Sequence, residues 1–270
     1  MTRELIYDDT QAMPRLLEIM RRLRDPKTGC PWDIEQTFST IAPYTIEEAY
    51  EVADAIARED YADLEGELGD LLLQTVYHAA IGEESDLFTF DSIANAISDK
   101  MISRHPHVFG DESRDKSAEQ QTRDWEVQKE AERARRGELG VLDGVAVGLP
   151  ALTRALKLQK RAARVGFDWD DPEKVLEKLH EEAREIVDAR ATNDADAIED
   201  EVGDLLFVAA NLARHLNVDP EAALRRSNDK FTRRFNHIET SLAKQDRTPD
   251  QADLTELDAL WDAAKAEERR

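Results

Sequence analysis

One acidic pattern occurs twice in this chain of 270 residues. Five acidic residues in the first half recur in the second half, each 134 positions later. They are Glu47, Glu48, Glu51, Glu67 and Asp70, followed by Glu181, Glu182, Glu185, Glu201 and Asp204. Around them, residues 47–72 and 181–206 are identical at 14 of 26 positions without a gap. Such self-similarity indicates a tandem duplication of one structural unit.

The spacing of the acids predicts a helical hairpin in each copy. An ExxE pair is followed by an ExxD pair, and residues three apart lie on one face of a helix. The two pairs are mirror-symmetric about residue 59 in the first copy and about residue 193 in the second. Antiparallel helices joined at these points would place the four carboxylates at the same level along the hairpin axis, and so close together. The second tip, ATNDAD, is rich in residues that cap helices.

Four neighbouring carboxylates repel one another, and without a cation they raise their own pKa values or move apart. Ligands that are all oxygen atoms favour a hard divalent ion, so we predict Mg²⁺, with Mn²⁺ as the second choice. A single ExxE is usually solvated helix surface, but mirrored pairs in both copies favour a site. The predicted ligands are Glu48, Glu51, Glu67 and Asp70 in one copy and Glu182, Glu185, Glu201 and Asp204 in the other.

A glycine precedes the aspartate in each copy, at Gly69 and Gly203. Glycine inside a helix costs about 1 kcal/mol relative to alanine. Its presence predicts either that another group approaches the helix closely or that two helices pack tightly there.

Composition limits the partners of the chain. A net charge of −23 argues against a nucleic acid polymer, because such binding depends on Lys and Arg neutralising phosphates. A small phosphate-bearing ligand remains compatible if a metal and local cations screen the acids. One cysteine, Cys30, excludes intrachain disulfides and fits a reducing compartment. Neither a signal peptide nor an apolar run of about 18 residues is present, so we expect a cytoplasmic protein without a membrane partner.

The chain is predicted to be all-α, with two tandem helical bundles. Apolar residues recur at helical spacing almost throughout, and Pro14 and Pro150 occupy predicted first helical positions. No segment shows strand alternation or a glycine-rich phosphate loop. Residues 137–149 contain four of the eleven glycines and no helical period, which predicts a linker between domains at 1–136 and 150–270.

Cations and a tryptophan also recur after each acidic hairpin. In both copies a Lys and an Arg are four residues apart, and hence on one helical face. Cations suit a phosphate tail and tryptophan suits a nucleobase, so together with a metal they favour a nucleoside polyphosphate. The residues are Lys100, Arg104 and Trp125 in the first copy and Lys230, Arg234 and Trp261 in the second.

With these motifs the sequence resembles the MazG nucleoside triphosphate pyrophosphohydrolases, all-α proteins marked by EExxE followed by ExxD. The strings GCPWD, ISRHPHVFGD, VGFDW, GDLLF and NDKFTRRF extend the resemblance over nearly the whole chain, as in the tandem-domain bacterial type. The resemblance implies hydrolysis of nucleoside triphosphates to a monophosphate and pyrophosphate, a bound Mg²⁺ and assembly as a homodimer.

The resemblance also implies roles for residues of the second copy. Catalysis is assigned to the acids and nucleotide binding to the cations and the tryptophan, while Ala197 stands where some relatives have a basic residue. Attack at the α or the β phosphorus stays open, as does the preferred nucleotide. The implied catalytic residues are Glu181, Glu182, Glu185, Glu201 and Asp204, and the implied substrate-binding residues are Lys178, Lys230, Arg234 and Trp261.

The two copies are predicted to be unequal. Lys178 lies one helical turn before Glu182, whereas the matching residue of the first copy is Tyr44. An additional cation near a triphosphate favours the C-terminal copy as the main active site. The alternative is a non-catalytic nucleotide-sensing or scaffold protein, because a duplicated domain can keep its site for structure alone.

Overall fold

The computed structural model describes residues 5–111, 113, 115, 117–135, 137 and 140–268. Regular structure within these residues is helical and includes no β-strand, which confirms the all-α prediction. The chain forms two compact units, Met1–Gln128 and Lys129–Arg270. The predicted domain limits and the linker at 137–149 stay predictions.

The first unit is built around a helical hairpin. Its helices are α1 (Ala12–Leu23), α2 (Pro31–Glu35), α3 (Phe38–Ala57), α4 (Tyr61–Glu84), α5 (Phe90–Arg104) and α6 (Pro106–Phe109), and α7 (Ala118–Arg135) contains the boundary with the second unit. A capping box between Thr37 and Thr40 begins α3. The hairpin turns at Glu59, whose φ is 56°, and Asp60 caps α4. The predicted turn near residue 59 is confirmed.

The second unit repeats this hairpin. Its helices are α8 (Ala151–Arg164), α9 (Pro172–Thr192), α10 (Ala195–His215), α11 (Pro220–Ala243) and α12 (Leu254–Glu267). The turn between α9 and α10 is at Asn193, with a φ of 60°, and the Asp194 side chain caps α10. An asparagine tolerates this left-handed conformation better than most residues. The second predicted turn is confirmed as well.

One predicted helix start is wrong. Helix α1 begins at Ala12, so that Pro14 lies at its third position and not at its first. A short 3₁₀ turn, Asp9–Gln11, leads directly into the helix. The helix therefore begins at this turn, two residues before the proline that the sequence pattern predicts as its first residue. Pro150 lies one residue before α8, at its N-cap.

Apolar packing holds each hairpin against its neighbours. In the first unit α3 packs along α4, and α1 contacts α4 through buried residues. In the second unit α9 packs along α10, which contacts α8, while α11 packs against α12. The buried cores include Met20, Ile41, Val76, Tyr77 and Ile81 in the first unit and Leu156, Val175, Val208, Ile238 and Leu242 in the second. Buried residues at Ile41 and Val175 fix the hairpin helices about two turns before their ExxE acids.

Of the helices described, none combines the length and the apolar character needed to cross a membrane.

Candidate active site

The hairpin of the first unit brings three of its four predicted ligands together. Glu48 lies on α3, whereas Glu67 and Asp70 lie on α4. One carboxylate oxygen from each is within 4.8 Å of the other two. Glu51 lies outside this group of three, although its charge acts on both Glu48 and Glu67. The mirror-symmetric spacing thus brings three of the four predicted carboxylates together and leaves Glu51 outside the group.

The second unit forms the equivalent group from Glu182, Glu201 and Asp204, again within 4.8 Å. The Glu182 side chain is only 3% exposed, and its Oε2 has no hydrogen-bond partner among the described residues. Glu185 is half-buried beside the group, with Glu182 and Glu201 among its charged neighbours. A buried carboxylate oxygen without a donor is costly, so this atom favours a partner beyond the described side chains, such as a cation or water.

Lys178 supplies a counter-charge that the sequence pattern assigns to the substrate. Its Nζ lies 2.7 Å from Glu182 Oε1 and donates a hydrogen bond of 2.9 Å to Glu181 Oε1. Hydrogen bonds to Glu182 and then to Glu181 raise the pKa of Lys178. Lys178, which the sequence analysis assigns to the substrate, is therefore paired with two carboxylates of its own helix in this structure. The i,i+4 spacing of Lys178 and Glu182 is the sequence signal for this pair.

Charge crowding is visible in the remaining acids. Burial, followed by the charges of Asp70 and Glu51, raises the pKa of Glu48. Burial and the charge of Glu51 do the same for Glu67. In the second unit burial raises the pKa of Glu185, while Lys178 acts in the opposite direction. Both clusters therefore have an electrostatic demand for a cation.

The predicted nucleotide-binding residues form a second group in the same unit. The Arg234 guanidinium lies over the Trp261 ring, 5.3 Å from its centroid, and Phe231 packs against the same tryptophan. Lys230 is one turn before Arg234 on α11 and is exposed. Within the described residues, no hydrogen bond or ion pair joins Lys230, Arg234 or Trp261 to the carboxylates.

A residue that sequence reasoning missed occupies this cationic group. Glu268 Oε2 accepts hydrogen bonds from Arg234 Nε at 3.0 Å and from Arg234 Nη2 at 2.7 Å. Arg233 Nη2 lies 3.8 Å from Glu268 Oε1. Arg234, and then Arg233 and Lys230, lower the pKa of Glu268. Because Glu268 is 34 residues from Arg234, no local spacing could have indicated this contact.

The equivalent tryptophan of the first unit also lies beside its arginine. Trp125 Nε1 donates a hydrogen bond of 3.0 Å to the Arg104 carbonyl oxygen, and its ring meets His105 edge-on at 5.2 Å. The recurrence of Arg and Trp in the sequence therefore reflects a recurring contact between two helices.

Tight packing does not account for the two glycines that precede the aspartates. A Cβ atom placed on Gly69 or Gly203 meets no described atom within 4 Å. The expectation of close helix packing within each unit is wrong, and both helix faces are open at these points.

The fold and the two carboxylate hairpins define a class: a tandem all-α protein with the EExxE and ExxD pattern in both units. The MazG nucleotide pyrophosphohydrolase domain matches residues 36–109 and again residues 170–239. The chain therefore belongs to the MazG family.

Relatives with curated names extend the match over almost the full length. A protein of Escherichia coli named nucleoside triphosphate pyrophosphohydrolase is 51% identical over 256 residues, 94% of this chain and 97% of that protein. A protein of Thermotoga maritima named nucleoside triphosphate pyrophosphohydrolase/pyrophosphatase MazG is 41% identical over 255 residues, 93% of this chain and 94% of that protein. These matches confirm the predicted family, its tandem form and the expectation of an enzyme.

Proposed function

We propose that the chain hydrolyses nucleoside triphosphates to a nucleoside monophosphate and pyrophosphate, with Mg²⁺ or alternatively Mn²⁺, and that its C-terminal unit is the main active site. The observation that carries this proposal is the convergence of Glu182, Glu201 and Asp204 beside Lys178. The names of the full-length relatives support the reaction class.

The residues of the C-terminal cluster fit a hard divalent cation. All donors are carboxylate oxygens, and Glu182 Oε2 is buried without a partner among the described residues. We propose that Glu182, Glu185, Glu201 and Asp204 hold the ion. When bound, it neutralises phosphate charge and makes water a better nucleophile.

Two side chains beside the cluster, Glu181 and Lys178, have proposed roles in proton transfer and phosphate binding. Glu181 is exposed and has a carboxylate oxygen that can accept the proton of the attacking water. Lys178 pairs with Glu181 and Glu182 in this structure. If Glu182 held the metal ion, the Lys178 ammonium group could pair with the phosphate oxygens instead, which would leave Glu181 free to act as the base.

Lys230 and Arg234 would bind the pyrophosphate part of the substrate and stabilise the charge that develops as it leaves. Trp261, which already lies against Arg234, would stack on the base. Stacking on an aromatic face tolerates any base, so we expect broad nucleotide specificity.

We further propose a homodimer. Apolar residues beside the clusters are exposed in both units at matching positions, with Leu68 and Leu72 in the first and Val202 and Leu206 in the second. Leu206 is 53% exposed within the chain. A repeated apolar stripe of this kind is typical of a subunit interface. Light scattering should show a dimer that Leu206→Asp weakens, whereas Leu254→Asp, at an exposed leucine on α12, leaves it intact.

The proposal includes neither a nucleic acid polymer nor a membrane among the partners, and it places the enzyme in the cytoplasm. The net charge of −23 supports the first point, since a polyanion would be repelled.

The decisive experiment separates the products formed from each nucleoside triphosphate by ion-exchange chromatography, with Mg²⁺ and again with EDTA. We expect a monophosphate and pyrophosphate with Mg²⁺ and no turnover with EDTA. Formation of a diphosphate and orthophosphate, or full turnover without metal, would refute the proposal. The same reaction in ¹⁸O-labelled water identifies the phosphorus attacked, since the label enters the monophosphate after α attack and pyrophosphate after β attack.

A matched pair of variants tests whether the cluster carries the activity. Glu201→Gln should abolish turnover because it removes one converging carboxylate. Glu199→Gln removes an exposed acid from the same helix, two residues away and outside the cluster, and should be as active as the parent. If Glu201→Gln were as active as Glu199→Gln and the parent, the cluster would be excluded as the active site.

A further inference from the structure

The N-terminal cluster contains a buried amide that the C-terminal cluster does not. Gln74 lies one helical turn after Asp70 on α4 and is only 7% exposed. Its Nε2 is 3.5 Å from Glu48 Oε1, a long hydrogen bond directed at the cluster. Its Oε1 is buried and has no hydrogen-bond partner among the described residues.

Packing does not explain this amide. At the matching position of the second unit the residue is Val208, which is also buried. An apolar side chain therefore fits this place in the repeat, and it would avoid the cost of a buried carbonyl oxygen without a donor. A polar group kept at such a position indicates a donor from outside the chain. Water in the hydration shell of a bound cation is a donor of this kind.

The N-terminal cluster also lacks the lysine of the other unit. Tyr44 occupies the position of Lys178 and meets Trp32 edge-on, with 6.4 Å between the ring centroids. Within the described residues, no ion pair reaches the carboxylates Glu48, Glu51, Glu67 and Asp70. The nearby Arg58 is held by Asp54 and Asp63. Among the described side chains, a cation arriving here has no protein cation to displace.

We infer that Gln74 is a positioning residue for the divalent cation predicted at Glu48, Glu67 and Asp70, and that without nucleotide this N-terminal cluster binds the cation more tightly than the C-terminal cluster does. Lys178 must leave Glu182 before the C-terminal carboxylates are fully available. Only the comparison with the C-terminal cluster rests on the proposed function.

A Mn²⁺ titration followed by electron paramagnetic resonance tests the inference on the full chain after removal of metal by EDTA. Without nucleotide we expect one tight site per chain. Asp70→Asn should abolish that site and Asp204→Asn should leave it. Two equally tight sites, no tight site, or loss of the site in Asp204→Asn alone would each overturn the inference.

Lys178→Met provides the complementary result. Because this variant removes the competing ammonium group, a second tight Mn²⁺ site should appear in the absence of nucleotide. No gain of a site would show that Lys178 does not weaken the C-terminal cluster, and the proposed difference between the units would be wrong.

The variant Gln74→Val introduces the residue type found at the matching position 208. It distinguishes whether Gln74 positions the metal ion or only stabilises the fold. We expect Mn²⁺ affinity at the N-terminal site to fall about 10-fold, as for other residues that orient metal ligands. With EDTA present, the melting temperature should be unchanged or higher, because a buried oxygen without a donor is removed. The control is Thr75→Val, at the exposed neighbouring residue, which should leave Mn²⁺ affinity unchanged.

A lower melting temperature in EDTA with unchanged Mn²⁺ affinity would show that Gln74 is structural, and would overturn its assignment. Turnover of nucleoside triphosphates is measured on the same samples. Tight Mn²⁺ binding by a protein without pyrophosphohydrolase activity would refute the proposed function while supporting this inference. Pyrophosphohydrolase activity in a protein without the N-terminal Mn²⁺ site would support the proposed function and overturn this inference.

Discussion

Lys178 Nζ lies 2.7 Å from Glu182 Oε1, whereas the residue that matches Lys178 in the first unit is Tyr44. This contact makes the two copies chemically different at the matching glutamates Glu182 and Glu48. The C-terminal unit has an ammonium group at this glutamate, and under the proposed function this group would move to a phosphate. The N-terminal unit has a neutral amide instead, since Gln74 Nε2 lies 3.5 Å from Glu48 Oε1.

We expect the two units to contribute unequally to turnover. Asp204→Asn should lose nearly all hydrolysis of nucleoside triphosphates, and Asp70→Asn should retain most of it. The reason is that a lysine near a triphosphate can form charged hydrogen bonds, each contributing roughly 1.5–3 kcal/mol. Steady-state kinetics measure the difference, with circular dichroism to show that both variants are folded. Equal losses, or the reverse order, would contradict it.

Glu268→Gln should lower the KM for nucleoside triphosphates by about 3-fold without changing kcat. In this structure the Arg234 guanidinium donates two hydrogen bonds to the Glu268 carboxylate, so a phosphate that binds Arg234 must displace this carboxylate. The control is Glu267→Gln, the adjacent acid, whose contact is His237 Nδ1 at 3.5 Å. An equal effect of both variants would point to general charge repulsion and not to this pair.

Gly203→Ala should stabilise the protein yet impair catalysis. The added methyl group meets open space and favours the helix by about 1 kcal/mol, which should raise the melting temperature by roughly 2–4 °C. Because the methyl group is added one residue before Asp204, we expect kcat/KM to fall. Gly66→Ala, at another open helical glycine, serves as the control for stability alone. Full activity of Gly203→Ala would show that no ligand approaches this helix face.

The stability of the first unit should depend on His78 below neutral pH. Burial lowers the pKa of His78 from its ordinary value of 6.5, and the ring stacks on Phe38 with 5.8 Å between centroids. The unfolded chain therefore binds a proton more readily, so stability is present above pH 6.5 and is lost as the pH falls through the lowered pKa.

His78→Leu tests this pH dependence, because Leu212 occupies the matching position of the second unit. We expect the difference in melting temperature between parent and variant to shift in favour of the variant as the pH is lowered below 6.5. A difference that is constant with pH would show that protonation of His78 does not affect the stability of the unit.

The sequence by itself determined the hairpins and their acids. Helical period and capping are local properties, so mirror-symmetric spacing alone locates the turns at Glu59 and Asn193. The pair between Lys178 and Glu182 is local in the same sense, because residues four apart on a helix are neighbours. Its i,i+4 spacing is sufficient to predict it, although the resemblance to the family assigns the lysine to the substrate.

Tertiary structure alone decided which distant groups meet. Glu268 reaches Arg234 because α12 packs against α11, and Gln74 faces Glu48 because α4 packs along α3. Whether Gly69 and Gly203 face a neighbour or open space also depends on packing between helices. Sequence spacing specifies the face of a helix on which a side chain lies, whereas the partner of that face depends on contacts between residues far apart in the chain.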